Sequence, residues 1–501
     1  MHDSLEILIK VLYTSYSILT VFSPNQRQTE MPANDNVLID VDQREAAIRR
    51  RVYDEAHFWA DVPADPDASV ATYFLRPRTV SLAKAGKLIS YHMTTGTKHA
   101  VAGSLLDICT GRVEGVLPWD ASDKVGLVRV AFPNKLFEHA DGKYYTTDIL
   151  HLMAGEGVCG LWEFAEAKLL DVKLPPQVLK TFPGPAYGCA GVRELTHWPD
   201  GAPAFGTILK PTAGITDDEV ATLVEGVAGE TLFLFAKEDE NLLPNLSYCP
   251  VVSRARKSVE VLKRLSPTRG GLGLIFAPHV SSPPHLLLDI VKQVLETGVN
   301  GLMFSEQFTG GAVRAVRDLT ANYPGKPVLY GHNSGISTRT NHVWREIIDF
   351  MARLDGIDFR QTAPLTSSEP LLRPQGLEWH KCEEVLTKTA EHIKPVMIAR
   401  AGGLDQGNII LNLEDVAKNL PKGQALYLAG SAINSITDAN GNPDSKLGAQ
   451  AMREAVEVWR SGDAASFTAN PAHHAQALYC LAKTKKLTAL QTALKQRYGL
   501  S

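Results

Sequence analysis

The stretch Leu232–Asn241, LFLFAKEDEN, decides how the rest of the chain is read. Its apolar run has the texture of a parallel strand buried on both faces, and it ends abruptly in Lys237, Glu238, Asp239 and Glu240. Side chains alternate along a strand, so Lys237 and Asp239 share one face, and Glu240 follows where the strand gives way to a loop. Two carboxylates converging there form a hard-oxygen site suited to Mg²⁺. A protonated lysine between them would repel the cation, whereas a neutral amine that captured CO₂ as a carbamate would add a third anionic oxygen ligand.

Outward from this stretch, short apolar runs recur with helical sequence between them. They are Phe205–Lys210, Leu232–Lys237, Leu272–Ala277, Gly301–Ser305, Pro327–His332, Asp358–Thr362, Pro395–Arg400 and Ala425–Ala429. The intervening helices include Asp217–Ala228, Pro284–Thr297, His342–Leu354 and His380–His392. Eight such βα units have the size and rhythm of a (β/α)₈ TIM barrel. A doubly wound sheet would carry a glycine-rich phosphate fingerprint after its first strand, and GTILKPTAG is not one.

Before the barrel, the runs at Ser69–Leu75, Lys124–Pro133 and Lys143–Leu150 read as strands. Asp42–His57, Ser81–Met93 and Gly157–Leu170 read as helices. The mixture predicts an N-terminal α+β (ferredoxin-like) domain, and an α/β chain overall. Proline and glycine at Pro175-Pro176 and Pro183-Gly184-Pro185 punctuate its end. The expected organisation is therefore an N-terminal extension over residues 1–30, an α+β domain over 31–185, a barrel over 186–455 and a C-terminal helical segment over 456–501.

With 501 residues, 44% hydrophobic and 21% charged, the composition is that of a globular enzyme. The net charge of −4 gives no footprint for nucleic acid or an anionic membrane. Six cysteines without a CxxC pair argue against a zinc site and a disulfide framework, which predicts a cytoplasmic protein. Leu5–Phe22 is apolar but carries Glu6 and Lys10 and has no basic leader, so it fits a signal peptide poorly, and Met31 is an alternative start.

Chemistry in a barrel sits where strands end. Those ends carry Lys210, the Lys237/Asp239/Glu240 set, His279, Glu306, His332 with Asn333, Arg360 with Gln361, Arg400 before Gly402-Gly403, and Gly430-Ser431. Glycines after the seventh and eighth strands suit a phosphate, because bare backbone N–H groups can approach its oxygens.

At these residues the chain resembles the RuBisCO large-subunit superfamily. The markers are Lys180-Thr181-Phe182 with Gly184-Pro185, Thr207-Ile208-Leu209-Lys210-Pro211, Lys237-Glu238-Asp239-Glu240-Asn241, the stretch from Leu302 to Phe308-Thr309-Gly310-Gly311, and Gly402-Gly403. The resemblance implies a homodimer whose active site is completed by the neighbour's N-terminal domain, for which Thr94–Lys98 is the matching stretch. It further implies that Lys237 is the carbamylated lysine (N6-carboxylysine), that Asp239 and Glu240 are the other Mg²⁺ ligands, and that Lys210 moves the proton in enolisation. For that task Lys210 needs its pKa lowered by burial and nearby cations. His332 matches an active-site histidine, Gly402, Gly403, Gly430 and Ser431 the phosphate turns, and Thr97 and Lys98 polar groups reaching in from the partner domain. His279 and Glu306 match no functional position and read as structural.

The departures are equally specific. Thr212 stands where the carboxylating enzymes have a second lysine, and Asn333 where they have an arginine. Arg360 or Gln361 replaces a histidine, His92 a glutamate, and Leu152 lies near an asparagine position. The loop that would bring a lysine onto the CO₂-derived carboxylate reads Ala363-Pro364-Leu365-Thr366-Ser367-Ser368. The resemblance thus implies a RuBisCO-like protein that keeps the metal and the enolising lysine but has lost carboxylation. It would act on a phosphorylated keto sugar or keto sugar acid, by C–C cleavage (transcarboxylation or hydrolysis) or by enolisation. The alternatives are an enolase or methylthio-sugar phosphate isomerase of methionine salvage, a non-catalytic regulatory scaffold, and a true carboxylase. Asn333, Arg360 and Gln361 lean towards a hydroxylated, acidic substrate.

Overall fold

The computed structural model describes residues 46–55, 65–97, 100–308, 311–323, 325–364, 376–390, 392–463 and 471–501. The chain divides into two units, Met1–Asp61 and Val62–Ser501. In the first, residues 46–55 form a helix carrying an Arg51–Glu55 ion pair one turn apart. Residues 1–30 lie outside the described residues.

The second unit opens with a four-stranded antiparallel sheet: β1 (Ala68–Pro77), β2 (Arg112–Pro118), β3 (Gly126–Pro133) and β4 (Phe164–Lys173), in the order β2-β3-β1-β4. Helix α1 (Leu82–His92) begins at Ser81, whose hydroxyl accepts the Lys84 N–H, and packs Leu82, Ala85 and Ile89 inward. Two expectations are corrected here. The sequence from Lys143 to Leu150 does not form a strand but leads into helix α2 (Thr146–Ala154), which buries Ile149 and Met153 one turn apart. The sequence from Gly157 to Leu170 is not a helix: its second half is β4, paired along β1 from Val70–Lys173 to Pro77–Phe164.

The barrel follows as β5 (Ala204–Ile208), β6 (Phe233–Lys237), β7 (Ile275–Ala277), β8 (Gly301–Ser305), β9 (Val328–His332), β10 (Phe359–Thr362), β11 (Met397–Ala401) and β12 (Ala425–Ala429). All ladders between neighbours are parallel, and β12 pairs with β5. The ring closes between β7 and β8 through Met303 N–H to Pro278 O at 2.9 Å and Val280 N–H to Met303 O at 3.0 Å. Each strand sends alternate residues inward. Phe235, Tyr330 and Phe359 stack in the barrel with ring centroids 4.8–6.1 Å apart, forming the floor beneath the rim.

Helices cover the outside: α3 (Asp217–Ala228), α4 (Val251–Leu265), α5 (Pro284–Glu296), α6 (Ala312–Leu319), α7 (Arg345–Asp355), α8 (Gly376–Thr387) and α9 (Ile409–Asn419). Helix α3 starts with a reciprocal capping box between Thr216 and Glu219. After β12 come a short turn of helix, Ser431–Asn434, then α10 (Ser445–Arg460), α11 (Pro471–Lys485) and α12 (Thr488–Tyr498). The N-terminal sheet joins the barrel layer through β4, where Leu169 N–H donates to His342 O at 2.7 Å and Trp344 N–H to Leu169 O at 2.9 Å. All six cysteines are free, and among the described residues no helix is long and apolar enough to cross a membrane.

Candidate active site

The C-terminal end of β6 sorts its charges by strand alternation. Lys237 points into the barrel and is 0% exposed. Its Nζ donates to Glu238 O at 3.0 Å, approaches Met303 Sδ at 3.3 Å and sits 5.5 Å from the centre of the Tyr330 ring. Burial pulls the amine down to about pKa 8, against the opposing pull of Glu240 and Asp239. Glu238 points the other way, fully buried, and takes a two-pronged contact from Arg254 at 2.7 and 2.9 Å. It also accepts the His279 N–H at 2.9 Å. Arg254 further donates to the carbonyls of Leu242 and Leu243 at 3.2 Å and to that of Cys249. This outer pair holds the loop that carries Asp239 and Glu240.

Asp239 is buried and forms an ion pair with Lys210 from the end of β5. Its other oxygen accepts the Asn241 N–H at 3.0 Å. Lys210 is 32% exposed at the mouth. Its amine is engaged by a carboxylate and is partly open to solvent, where the expectation from sequence was a secluded one. Glu240 meets His332, at the end of β9, with 3.2 Å between Nε2 and Oε2. The Ser334 N–H donates to His332 Nδ1 at 3.0 Å, which fixes the tautomer and leaves Nε2–H to donate to Glu240. Burial lowers the His332 pKa to about 4, so the imidazole is neutral at pH 7. Burial alone would raise the Glu240 carboxyl, but the His332 hydrogen bond and the Lys237 charge hold it well below the usual range.

Four groups chosen from sequence, at 210, 237, 239 and 240, therefore gather at one barrel mouth with His332. The next strand adds Gln361, which accepts from Tyr330 Oη at 2.7 Å and donates to Asn333 Oδ1 at 2.9 Å. Gly430 completes the near wall, since a Cβ there would lie 3.4 Å from Lys210 Cε. Gly402 and Gly403 take φ of 98° and 72°, a backbone that favours glycine. Thr212 is half-buried in the turn after β5.

Other residues stand elsewhere. Arg360 does not reach the mouth. It alternates with Phe359 and Gln361, so it faces the helices, where it donates to Asp349 and Glu306 at 2.6 Å each. Gly331 makes room for this, as a Cβ there would lie 1.9 Å from Glu306 Oε1. Asp358, two residues before Arg360, binds Arg317 at 2.8 Å. Arg400 likewise faces outward onto Glu383 and Asp415. His279 is buried behind Glu238, as a structural reading predicts, with its pKa lowered to about 4 by burial. Thr97 follows α1 in the N-terminal domain. Lys98 and Leu365–Ser368 lie outside the described residues.

Mg²⁺ takes oxygen ligands, which Asp239 and Glu240 offer. Among the described residues no three His, Cys, Asp or Glu side chains gather as a metal cluster. Asp239 and Glu240 fall short of a cage by themselves, and the fit requires a third oxygen anion from a modified Lys237. A buried amine with a pKa near 8 is the kind that accepts CO₂, so the residues fit the ion together with the carbamate.

An eight-stranded parallel barrel behind a four-stranded antiparallel sheet is the architecture of solved Rubisco chains. Residues 59–178 match the family "Ribulose bisphosphate carboxylase large chain, N-terminal domain". The chain is 28% identical over 364 residues to a ribulose bisphosphate carboxylase from Archaeoglobus fulgidus, covering 68% of this chain and 76% of that one. It is 36% identical over 111 residues, 22% of this chain and 26% of the other, to a 3-oxo-isoapionate-4-phosphate transcarboxylase/hydrolase from Xanthobacter autotrophicus. The fold matches the octameric Rubisco structure from Pyrococcus horikoshii OT3 with a TM-score of 0.72 at 20% identity, covering 87% and 95% of the two chains. The chain belongs to the RuBisCO large-chain superfamily.

Proposed function

We propose that this chain is a RuBisCO-like enzyme that performs enolate chemistry on a phosphorylated keto sugar or keto sugar acid, with C–C cleavage by transcarboxylation or hydrolysis as the overall outcome. The observation that carries this reading is a fully buried Lys237 beside Asp239 and Glu240, at a mouth that Arg360 does not reach. Carbamylated Lys237, Asp239 and Glu240 would hold Mg²⁺, which when bound supplies Lewis-acid polarisation of the substrate carbonyl. Lys210, across the mouth, is the amine placed to move the proton alpha to that carbonyl. His332 keeps Glu240 ionised and oriented through Nε2–H. Gln361 and Asn333 offer amide groups to substrate hydroxyls, and the turns at Gly402-Gly403 and Gly430-Ser431 offer backbone N–H groups to one phosphate.

A bisphosphate needs a second cationic clamp, and carboxylation needs a cation that meets charge as it develops on the new carboxylate. Thr212 and Asn333 supply neither, and Arg360 is already committed to two carboxylates. The local similarity to the Xanthobacter transcarboxylase/hydrolase supports a branched keto acid phosphate as the substrate class. A homodimer in which Thr97 and Lys98 complete the neighbour's site belongs to the same proposal. The test is proton exchange. The protein is incubated in D₂O with a panel of phosphorylated keto sugars and keto sugar acids, with ribulose bisphosphate as control. The reading expects Mg²⁺-dependent exchange alpha to the carbonyl of at least one keto acid phosphate and no carboxylation of ribulose bisphosphate. Exchange with no compound, or fixation of CO₂ on the bisphosphate, overturns it.

A further inference from the structure

Tyr330, Gln361 and Asn333 form a chain of side-chain hydrogen bonds that climbs from the floor of the barrel to its rim. Tyr330 is fully buried, and its ring is held by Phe235 and Phe359 at 5.5 and 6.1 Å between centroids. Its hydroxyl donates to Gln361 Oε1 at 2.7 Å, and Gln361 Nε2 donates to Asn333 Oδ1 at 2.9 Å. Gln361 is buried, whereas Asn333, just beyond the end of β9, is half-buried. The backbone holds both amides in place. The Gln361 carbonyl accepts Arg345 Nη2 at 3.1 Å, and the Asn333 carbonyl accepts the Ile336 N–H at 3.1 Å.

A side-chain amide can face either way, so the order of donor and acceptor along such a chain needs an anchor. The phenol is that anchor. Its oxygen shares electron density with the ring, which makes the O–H a good donor and the oxygen a poor acceptor. Gln361 is its one hydrogen-bond partner among the described residues, and a buried O–H left without an acceptor is costly. Gln361 therefore turns its carbonyl to Tyr330 and its NH₂ to Asn333, which commits the Asn333 carbonyl to Gln361. Asn333 Nδ2 is left as the outermost group, with no acceptor among the described residues. The adjacent His332 Nε2–H is already engaged by Glu240. The uncommitted donors at the end of β9 thus suit a group that has lone pairs and no proton of its own. A carboxylate is such a group, whereas a hydroxymethyl in its place accepts less strongly. We propose that Tyr330 is a positioning residue: through Gln361 it fixes Asn333 as a donor, and the mouth thereby selects a sugar acid phosphate over the matching sugar alcohol phosphate. The inference rests on the reading of the mouth as a sugar-phosphate site and narrows it to acids.

The probes are erythronate 4-phosphate and erythritol 4-phosphate, which share the phosphate and differ in a carboxylate against a hydroxymethyl group. Each is titrated onto the full chain with Mg²⁺ and bicarbonate while thermal unfolding is followed. The wild type should take the acid at a midpoint about tenfold below that of the alcohol, the value of one hydrogen bond to a charged group. Y330F keeps the ring and removes the hydroxyl, so Gln361 is free to reverse, and the preference should shrink about fivefold through weaker binding of the acid. N333L should remove the preference, and Y330F added to N333L should change nothing further, because Tyr330 acts only through that amide. Equal midpoints in the wild type, a wild-type preference in Y330F, or a further loss in the double variant overturns the inference while leaving the mouth a sugar-phosphate site. No effect of either compound on the wild type overturns the reading of the mouth on which the inference stands. If Y330F does not fold, Q361L cuts the same link: the preference should shrink as in Y330F, and an unchanged preference overturns the proposal.

Discussion

The two faces of the same barrel strands treat charge in opposite ways. On the outside, Glu238 with Arg254, Arg360 with Glu306 and Asp349, Arg317 with Asp358, and Arg400 with Glu383 and Asp415 are buried arginine–carboxylate contacts of 2.6–3.0 Å. On the inside of the same strands, Lys237 has no carboxylate within hydrogen-bonding distance among the described residues, Glu240 leans on a neutral imidazole, and Lys210 reaches Asp239 from the solvent edge. Outer charges are paired for good. Inner charges are left able to change partners, which is what the proposed uptake of CO₂, a metal and a substrate requires.

The contrast breaks most decisively through activity. Lys237→Met should reduce Mg²⁺-dependent proton exchange by about 10³-fold or more, as loss of electrostatic stabilisation does elsewhere. Tm should hold or rise, because a desolvated amine is removed. A large fall in Tm with activity retained would place Lys237 among the structural charges. Arg254→Met should do the reverse in stability, costing about 3–5 kcal/mol in urea unfolding by leaving Glu238 buried and unpaired. Arg254→Met/Glu238→Gln should recover much of that loss.

A smaller effect is expected from acid. His332 and His279 are both depressed to about 4 in the folded chain, below the ordinary histidine value of about 6.5. The unfolded chain therefore binds more protons between those values, so stability present above pH 6.5 is lost as pH falls towards 4. Each histidine contributes a slope of about 1.4 kcal/mol per pH unit there. Urea midpoints at pH 7 and pH 5 read this, and His279→Asn should flatten the slope; an unchanged slope would show that His279 titrates normally. The smallest effect separates immediate neighbours. Gln361→Leu should raise KM about fivefold, the value of one hydrogen bond, with kcat little changed. Arg360→Lys should weaken stability instead. Exchange of those two outcomes would reverse the assignment of faces on β10.

The barrel was legible because short, mostly apolar runs that end in polar residues recur between helices, and all eight were located to within about three residues. The N-terminal sheet was less so. FAEAKLLDVK in β4 has helix-favouring residues, and only its pairing with β1 makes it a strand. RVEGVLP in β2 contains glycine, ends in proline and has no fully buried position, so it carried little strand signal. At the site, alternation put Lys237 and Asp239 on one face with Glu240 just beyond, while the roles given to them came from the strand-end context and the resemblance. The face of Arg360 was not legible, because a one-residue ambiguity in register moves a side chain to the opposite face.

The measurement closest to the central claim is trapping of labelled CO₂. The chain is incubated with ¹⁴C-labelled bicarbonate and Mg²⁺ across pH 6–10, the carbamate is fixed chemically, and the labelled peptide is sequenced. Lys237 should carry the label, in a Mg²⁺-dependent manner and with half-maximal uptake near pH 8, where its amine loses its proton. Label confined to other lysines, or uptake at Lys237 only above pH 10 as for an exposed amine, would contradict the account.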